Sequence, residues 1–195
     1  NGSSWNQLGN TINGETFGDE SGSSVSLSGD GQTVAIGAPY NDGNGIGNAT
    51  GHVRIYTWNG TSWIQVGADI DGDAAYDQSG YSVSLSNDGQ TVAISAWLYD
   101  GNTGNMTDNL GHVRIYNWNG ISWIQLGSEI IGEANGDLSG CSVSLSADGQ
   151  TVAIGAIYNY GTGYYSGHVR IYNWSGTSWV QVGTDIDGEA AYDQS

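Results

Sequence analysis

The sequence predicts an all-β chain assembled from repeated four-stranded antiparallel units. The first observation is repetition. Gly31-Gln-Thr-Val-Ala-Ile-Gly-Ala38 returns at residues 89–96 and 149–156, and Gly51-His-Val-Arg-Ile-Tyr-Thr-Trp58 returns at 111–118 and 167–174. Val34, Val92 and Val152 stand 58 and 60 positions apart (92−34, 152−92), a period that decides the architecture before any residue is read alone. The second observation is strict apolar–polar alternation within these stretches, the pattern of half-buried strands. The third is punctuation: 33 glycines and a single proline lie between the alternating runs, where they read as turns rather than as collagen.

The second unit justifies each element in order. Ser82-Val-Ser-Leu-Ser86 alternates and reads as a first strand. Asn87-Asp-Gly89 is a hairpin signal, because glycine accepts positive φ. Residues 91–96 return, with Ala and Ser on one side, small enough for another sheet to approach closely. A loop of variable length over 97–110 leads to a third strand at 112–118. Residues 119–122 turn the chain into a fourth strand over 123–130, and a Gly/Asp-rich link over 132–140 leads to the next unit.

Four antiparallel strands per unit without helices fit the blade of a β-propeller. Tyr116 and Trp118 are placed to pack over the small side of a neighbouring blade, and a single blade cannot bury both its faces. The expected division is a partial blade over 1–23, with a leading fourth strand at 5–12, then blades with their links over 24–81, 82–141 and 142–195. Propellers close with roughly four to eight blades. Residues 1–5 match 59–63, and 192–195 match 76–79, so both ends are expected to cut through a repeat. Further sequence or further copies would then complete a ring, and open, filamentous stacking is the alternative.

Lysine is absent, and Arg54, Arg114 and Arg170 face 20 acidic residues, for a net charge of −17. A chain without a cationic face is not expected to bind nucleic acid or an anionic membrane. Solubility or cation binding is the expected use of the acidity. Cys141 is the one cysteine, so no intrachain disulfide forms. No apolar run reaches the roughly 18 residues a membrane span needs.

The pattern Gly22-Ser-Ser-Val25, Asp30-Gly31, Val34-Ala-Ile-Gly-Ala-Pro39 and Gly51-His-Val-Arg-Ile-Tyr56 resembles the FG-GAP repeat of integrin-α-like β-propellers. It is also similar to the acidic Gly-His-Val-Arg-Ile-Tyr-x-Trp blades of aquatic microbes and large viruses. The resemblance implies an extracellular or surface location and a role in adhesion or ligand binding. One departure matters. Family members often carry a multi-carboxylate calcium loop between the first two strands, whereas this chain offers only Asp30, Asp88 and Asp148 there. Calcium takes about six to eight oxygens, so these turns are expected to be bare hairpins.

The richest oxygen cluster lies in the links. Asp69, Asp71, Asp73 and Asp77 recur as Asp185, Asp187, Glu189 and Asp193. The functional reading is a Ca²⁺ site completed by backbone carbonyls; the alternative is that these side chains cap turns. His52, His112 and His168 share one repeat position on different blades and read as structural, since a metal needs convergent ligands. Each arginine is expected to pair with a link carboxylate, because an unpaired buried guanidinium is unfavourable. No nucleophile elbow, phosphate loop or dinucleotide fingerprint is present, and no carboxylate pair stands out as a glycosidase would require. An enzyme is therefore not expected.

Trp97, Tyr158, Tyr160, Tyr164 and Tyr165 occupy the variable loops. Variable loops on a constant scaffold are where specificity usually resides, so these rings are candidates for stacking on a glycan or contacting a protein, or else for covering blade edges. Asn1, Asn48, Asn59, Asn105 and Asn173 begin glycosylation sequons, each in or beside an expected loop or turn. The expected function is non-enzymatic adhesion or recognition at a surface. A subunit that self-associates into a homo-oligomer, fibre or tube is the second reading, and a carbohydrate-active hydrolase the third.

Overall fold

The computed structural model describes all residues except 1, 3, 44–47, 102–104, 106 and 195. The described residues form fifteen strands in three sheets. The first sheet holds β1 (Ser24–Leu27), β2 (Thr33–Ala38), β3 (His52–Trp58), β4 (Trp63–Gln65) and β5 (Ile70–Asp71). The second holds β6 (Ser79–Leu85), β7 (Thr91–Ala96), β8 (His112–Trp118), β9 (Trp123–Gln125) and β10 (Ile130–Ile131). The third holds β11 (Ser142–Leu145), β12 (Thr151–Ala156), β13 (His168–Trp174), β14 (Trp179–Gln181) and β15 (Ile186–Asp187). Each sheet is an antiparallel meander in chain order, and its two last short strands both pair with the third. The register repeats as well: Ala35 faces Ile55, Ala93 faces Ile115, and Ala153 faces Ile171. These are propeller-type blades.

The hairpin between the first two strands is closed by its own carboxylate. Asp30 accepts from the Ser28 hydroxyl at 2.7 Å and the Gln32 amide at 2.9 Å, and Asp88 and Asp148 repeat both bonds. Each is therefore committed to its turn, as expected for a bare hairpin. Bonds to the ionised form favour it, and they hold Asp30 and Asp148 below the ordinary carboxylate range.

The fourth strand differs from the expectation. It is two short strands with a break between them, not one run. The amide of Val66 still bonds to the Ile55 carbonyl, and Gly67 then turns at φ 76°. Trp118 of the next blade fills the space there; a Cβ on Gly67 would lie 2.8 Å from its ring. The break is thus the place where a neighbour's indole seats. Residues 5–12 form no strand, because the chain places no third strand of their own blade beside them. They still act as the equivalent seat. Trp63 donates its indole N–H to Leu8 O at 3.1 Å, as Trp123 does to Val66 O and Trp179 to Leu126 O.

The core lies between sheets rather than within one. Ala35, Val53, Ile55 and Ile70 of the first blade meet Val83, Leu85, Val92, Ile94 and Tyr116 of the second. Ala93, Val113, Ile115 and Ile130 meet Leu145, Val152, Ile154 and Tyr172 of the third in the same way. Fully burying each such aliphatic side chain contributes about 1.5–3 kcal/mol. The small residues set the spacing: a Cβ on Gly37 would fall 2.1 Å from the Gly80 carbonyl oxygen. Serine hydroxyls lace the first strands together, with the Leu85 amide bonded to Ser26 Oγ and the Leu145 amide to Ser84 Oγ, both at 2.9 Å.

Candidate functional site

The seams between blades gather the chain's three arginines and three histidines with a subset of its acids. At the start of each third strand, His and Arg stand two residues apart and so share one face. Both are buried: His52, His112 and His168 are 1% exposed. Each arginine reaches back across the seam. Arg54 donates to Asn13 O at 2.7 Å, Arg114 to Asp71 O at 2.8 Å, and Arg170 to Ile131 O at 2.8 Å. Each also meets the link acid, at 3.7 Å for Glu15, 2.8 Å for Asp73 and 3.6 Å for Glu133. Each guanidinium further lies over the tyrosine two residues on, at 5.6–5.7 Å, an attraction of about 1 kcal/mol. The expected pairing of each arginine with a link carboxylate is borne out.

The histidines are not isolated, as their separate blades suggested. The seam brings two carboxylates to each: Glu15 and Asp69 to His52, Asp73 and Glu129 to His112, Glu133 and Asp185 to His168. At the first seam Nδ1 lies 3.9 Å from Glu15 and 3.8 Å from Asp69; at the third, 4.0 Å from Glu133 and 3.6 Å from Asp185. Convergence of this kind was invisible to a reading that looked within one loop. A signal existed: Asp69, Glu129 and Asp185 each follow their histidine by 17 positions (69−52, 129−112, 185−168). Burial holds the His52 imidazole below its ordinary range, against the opposing pull of Asp69, which leaves a neutral ring at pH 7.

The middle seam is built differently. Glu129 approaches His112 Nδ1 to 3.0 Å, and this contact holds its carboxyl below the usual range. Tyr99 stacks on the His112 ring at 4.2 Å and donates to Glu129 at 3.3 Å. Burial and the Glu129 charge push the Tyr99 phenol up to about 12. Asn41 and Asn159 occupy the Tyr99 position in the other blades. There they donate to Asp19 and Asp137 at 3.0 Å.

Those last two acids belong to a second repeated position, with Asp77 and Asp193. They cap link turns: Asp19 accepts from the Thr16 amide, Asp137 from Ala134, and Asp193 from Ala190. Asp77 holds the same place against Ala74 but lacks an asparagine donor. Burial first, and then the Asp100 and Asp73 charges, push its carboxyl up to about 7.

The four-carboxylate sets singled out in the sequence are dispersed. Asp69 joins His52 and accepts from Gln65 Nε2 at 2.6 Å, Asp73 joins Arg114, and Asp77 caps its turn. Asp185 joins His168 and accepts from Gln181 at 2.6 Å. Asp71 and Asp187 lie in β5 and β15, Glu189 is exposed, and Asp193 caps its turn. No three of either set share a metal-sized space among the described residues. A cleft of about 460 Å³ opens at the first seam instead, lined by Glu15, Asp19, Asp42, Asp69, Asp71 and His52 among others.

The loop aromatics divide. Trp97 is stacked on Tyr81 at 4.1 Å and donates to Gln78 at 2.8 Å, so one of its faces is already covered. Tyr158, Tyr160, Tyr164 and Tyr165 form one patch, with centroids 4.1–5.4 Å apart between touching rings. Tyr192 of the last link joins it, 5.4 Å from Tyr164; the sequence reading missed it because it lies in a different segment. Tyr160 and Tyr164 remain about half exposed and Tyr192 more so. Tyr164 donates to the Tyr165 oxygen at 3.2 Å. Asn48, Asn59, Asn105 and Asn173 are exposed; Asn173 lies in β13 and the others in loops or turns. Asn1 lies outside the described residues.

The seam geometry and the meander locate the repeat on the chain. Residues 13–56 match the FG-GAP repeat family. The matched segment starts at the Asn13 carbonyl that takes Arg54 and ends at Tyr56, over which Arg54 lies. The expected resemblance is borne out. No curated protein matches the chain. Among solved structures, a putative 6-phosphogluconolactonase from Bacteroides uniformis is similar at 14% identity and a TM-score of 0.54, over 86% of this chain and 41% of that one. Saccharomyces cerevisiae Sqt1 is similar at 14% and 0.52, over 95% and 40%. Kuenenia stuttgartiensis hydrazine synthase is similar at 12% and 0.50, over 86% and 38%. These likenesses are of fold alone, and the chain spans about two fifths of the length of each.

Proposed function

We propose that this chain is a non-enzymatic recognition module of an extracellular or surface protein, with the tyrosine patch of the third blade as its ligand surface. The observation that carries this reading is the contrast between constant strands and a variable loop that clusters Tyr158, Tyr160, Tyr164 and Tyr165 with Tyr192. Tyrosine presents a rigid, amphipathic surface with little rotamer entropy to lose. A ring face takes the C–H face of a sugar while the phenol oxygens bond its hydroxyls, so a glycan is the ligand class. The net charge of −17 favours neutral over anionic glycans. The test is glycan-array binding of the intact chain, followed by titration of any neutral hit against Tyr160→Ala and Tyr164→Ala. Loss of binding by at least ~10-fold in both, with unchanged circular dichroism, supports the reading. Undiminished binding sinks it.

A second reading, association through blade faces, has its own observation. Val25 and Leu27 are 63% and 60% exposed, while their equivalents Val83, Leu85 and Leu145 are 7–8% exposed beneath a neighbour. Ile186 is 57% exposed where Ile70 and Ile130 are 6%. The two open faces are the two halves of the internal seam, so a further blade, from longer sequence or a second copy, would cover them. Light scattering decides: a mass above one chain at micromolar concentration supports pairing of copies, and a single-chain mass removes it.

A further inference from the structure

We propose that the first and third seams each bind one divalent transition-metal ion of the zinc class, held by His52 with Glu15 and Asp69 and by His168 with Glu133 and Asp185, while the middle seam stays closed to metal.

The histidines, not the acids, point to the ligand. Each is 1% exposed and directs Nδ1 into the carboxylate pair. Nδ1 of His168 has no hydrogen-bond partner, as is also true of Nδ1 of His112, whereas at His52 the orphaned atom is Nε2. A buried, unpaired ring nitrogen is unfavourable unless a partner arrives; at the third seam an ion between the carboxylates is such a partner, and the first seam repeats its residues position for position. The spacing suits it. Ligand bonds of about 2.0–2.1 Å in a tetrahedron separate ligand atoms by roughly 3.3 Å, and the separations from Nδ1 are 3.6–4.0 Å. A side-chain rotation closes that gap. The carboxylates are a quarter to half exposed, which gives the ion an entry path.

The arginines do not compete for the same oxygens. Glu15 turns Oε1 to Arg54 and Oε2 to His52, and Glu133 divides its oxygens between Arg170 and His168 in the same way. At the middle seam three of the four carboxylate oxygens are engaged: Asp73 Oδ1 lies 2.8 Å from Arg114, Glu129 Oε2 lies 3.0 Å from His112, and Glu129 Oε1 accepts from Tyr99. The 3.0 Å between Nδ1 and Oε2 is shorter than the roughly 3.3 Å a tetrahedral ion imposes. The ligand class follows from the donors. An imidazole nitrogen with two carboxylates suits zinc-like ions, whereas calcium takes six or more oxygens. Glu133 lies in the link leaving the second blade, while His168 and Asp185 belong to the third, so the ion ties two blades together.

The experiment is equilibrium dialysis of the chain against Zn²⁺, with Co²⁺ absorption as a spectroscopic probe. Two equivalents are expected, with one lost in His52→Gln and one in His168→Gln, and none lost in His112→Gln. Asp69→Asn and Asp185→Asn alter exposed oxygens without disturbing the buried ring; each is expected to weaken its site by ~10-fold or more. Zn²⁺ is expected to raise the melting temperature by mass action, and a tenfold excess of Ca²⁺ not to displace it. Zero bound ions, two ions retained by the His52→Gln/His168→Gln double variant, displacement by Ca²⁺, or an ion lost in His112→Gln would each overturn the assignment.

Discussion

The middle seam and its two flanking seams are built from the same positions with exchanged side chains. The link acid is Glu15 and Glu133 outside but Asp73 in the middle, and the acid just before the last short strand is Asp69 and Asp185 outside but Glu129 in the middle. One methylene has moved from one partner to the other. The longer Glu129 closes on His112 and the shorter Asp73 makes its ion pair with Arg114, while Tyr99 replaces an asparagine and covers the ring. Total charge is unchanged, so the difference is one of reach. Repeats that look alike can thus hold an open polar pocket in one place and a locked ion-pair network in the next.

The largest expected effect tests the locked network. Arg114→Ala removes a 2.8 Å ion pair, a carbonyl bond, a ring contact and a buried stem, and is expected to destabilise by about 3 kcal/mol in urea unfolding; the half-exposed Asp73 left behind is solvated. Arg54→Ala and Arg170→Ala, with ion pairs at 3.6–3.7 Å, should lose less; equal losses would erase the distinction between seams. A packing comparison comes next. Ile130→Ala in a covered seam should cost about 2–5 kcal/mol, and Ile186→Ala on the open face under ~1 kcal/mol. Similar values for the two would mean that the open face is covered in solution.

A pH comparison follows. The Asp77 carboxyl is pushed up to about 7, above its unfolded value, so the native state holds the proton more tightly. Its contribution to stability is therefore present below about pH 4 and lost as pH rises through 7. Asp77→Asn should stabilise by on the order of 2 kcal/mol at pH 8 and by nothing measurable at pH 4. Asp137→Asn keeps one acceptor oxygen, and Ala134 and Asn159 both bond Oδ2, but it removes the charge that strengthens those bonds; it should instead destabilise by about 1 kcal/mol. A gain for Asp77→Asn that is the same at both pH values would rule out the carboxylate charge as its cause. The smallest effect sharpens the seam comparison directly. Asp73→Glu, Glu129→Asp and Tyr99→Asn together give the middle seam the outer set, and a third bound Zn²⁺ is expected; two would mean that more than reach separates the seams.

Much of this architecture was legible in the chain. Alternation at Val34, Ile36, Val53 and Ile55 located the strands, although the register puts Val34 and Ile36 on the opposite face from Val53 and Ile55 and only the latter pair is fully buried; the recurrence of Arg54, Arg114 and Arg170 among so many acids implied shared ion pairs. The break in the fourth strand was not legible, because Gly67 and Gly127 are shaped by tryptophans of the next blade. The histidine clusters were hidden for the same reason. Glu15, His52 and Asp69 come from a link, a third strand and the break between the two last short strands, and only the docking of successive sheets brings them together. The carboxylates of 69–77 looked like one cage because they are near in sequence, yet alternation and turns send each toward a different partner.

Gly37 stands against Gly80 at one seam, whereas Ser95 stands against Gly140 at the next. Curvature in a repeat array follows from the small rotation between neighbours, and that rotation pivots where backbones come closest. The missing methyl at Gly37 is therefore an angular setting as much as a packing one. A side chain there would pry one edge of the wedge open while the serine laces held the other. The number of wedges that complete a circle would change with it. In a chain whose repeats are so nearly identical, a single hydrogen in place of a carbon bears on the angle at which one blade meets the next.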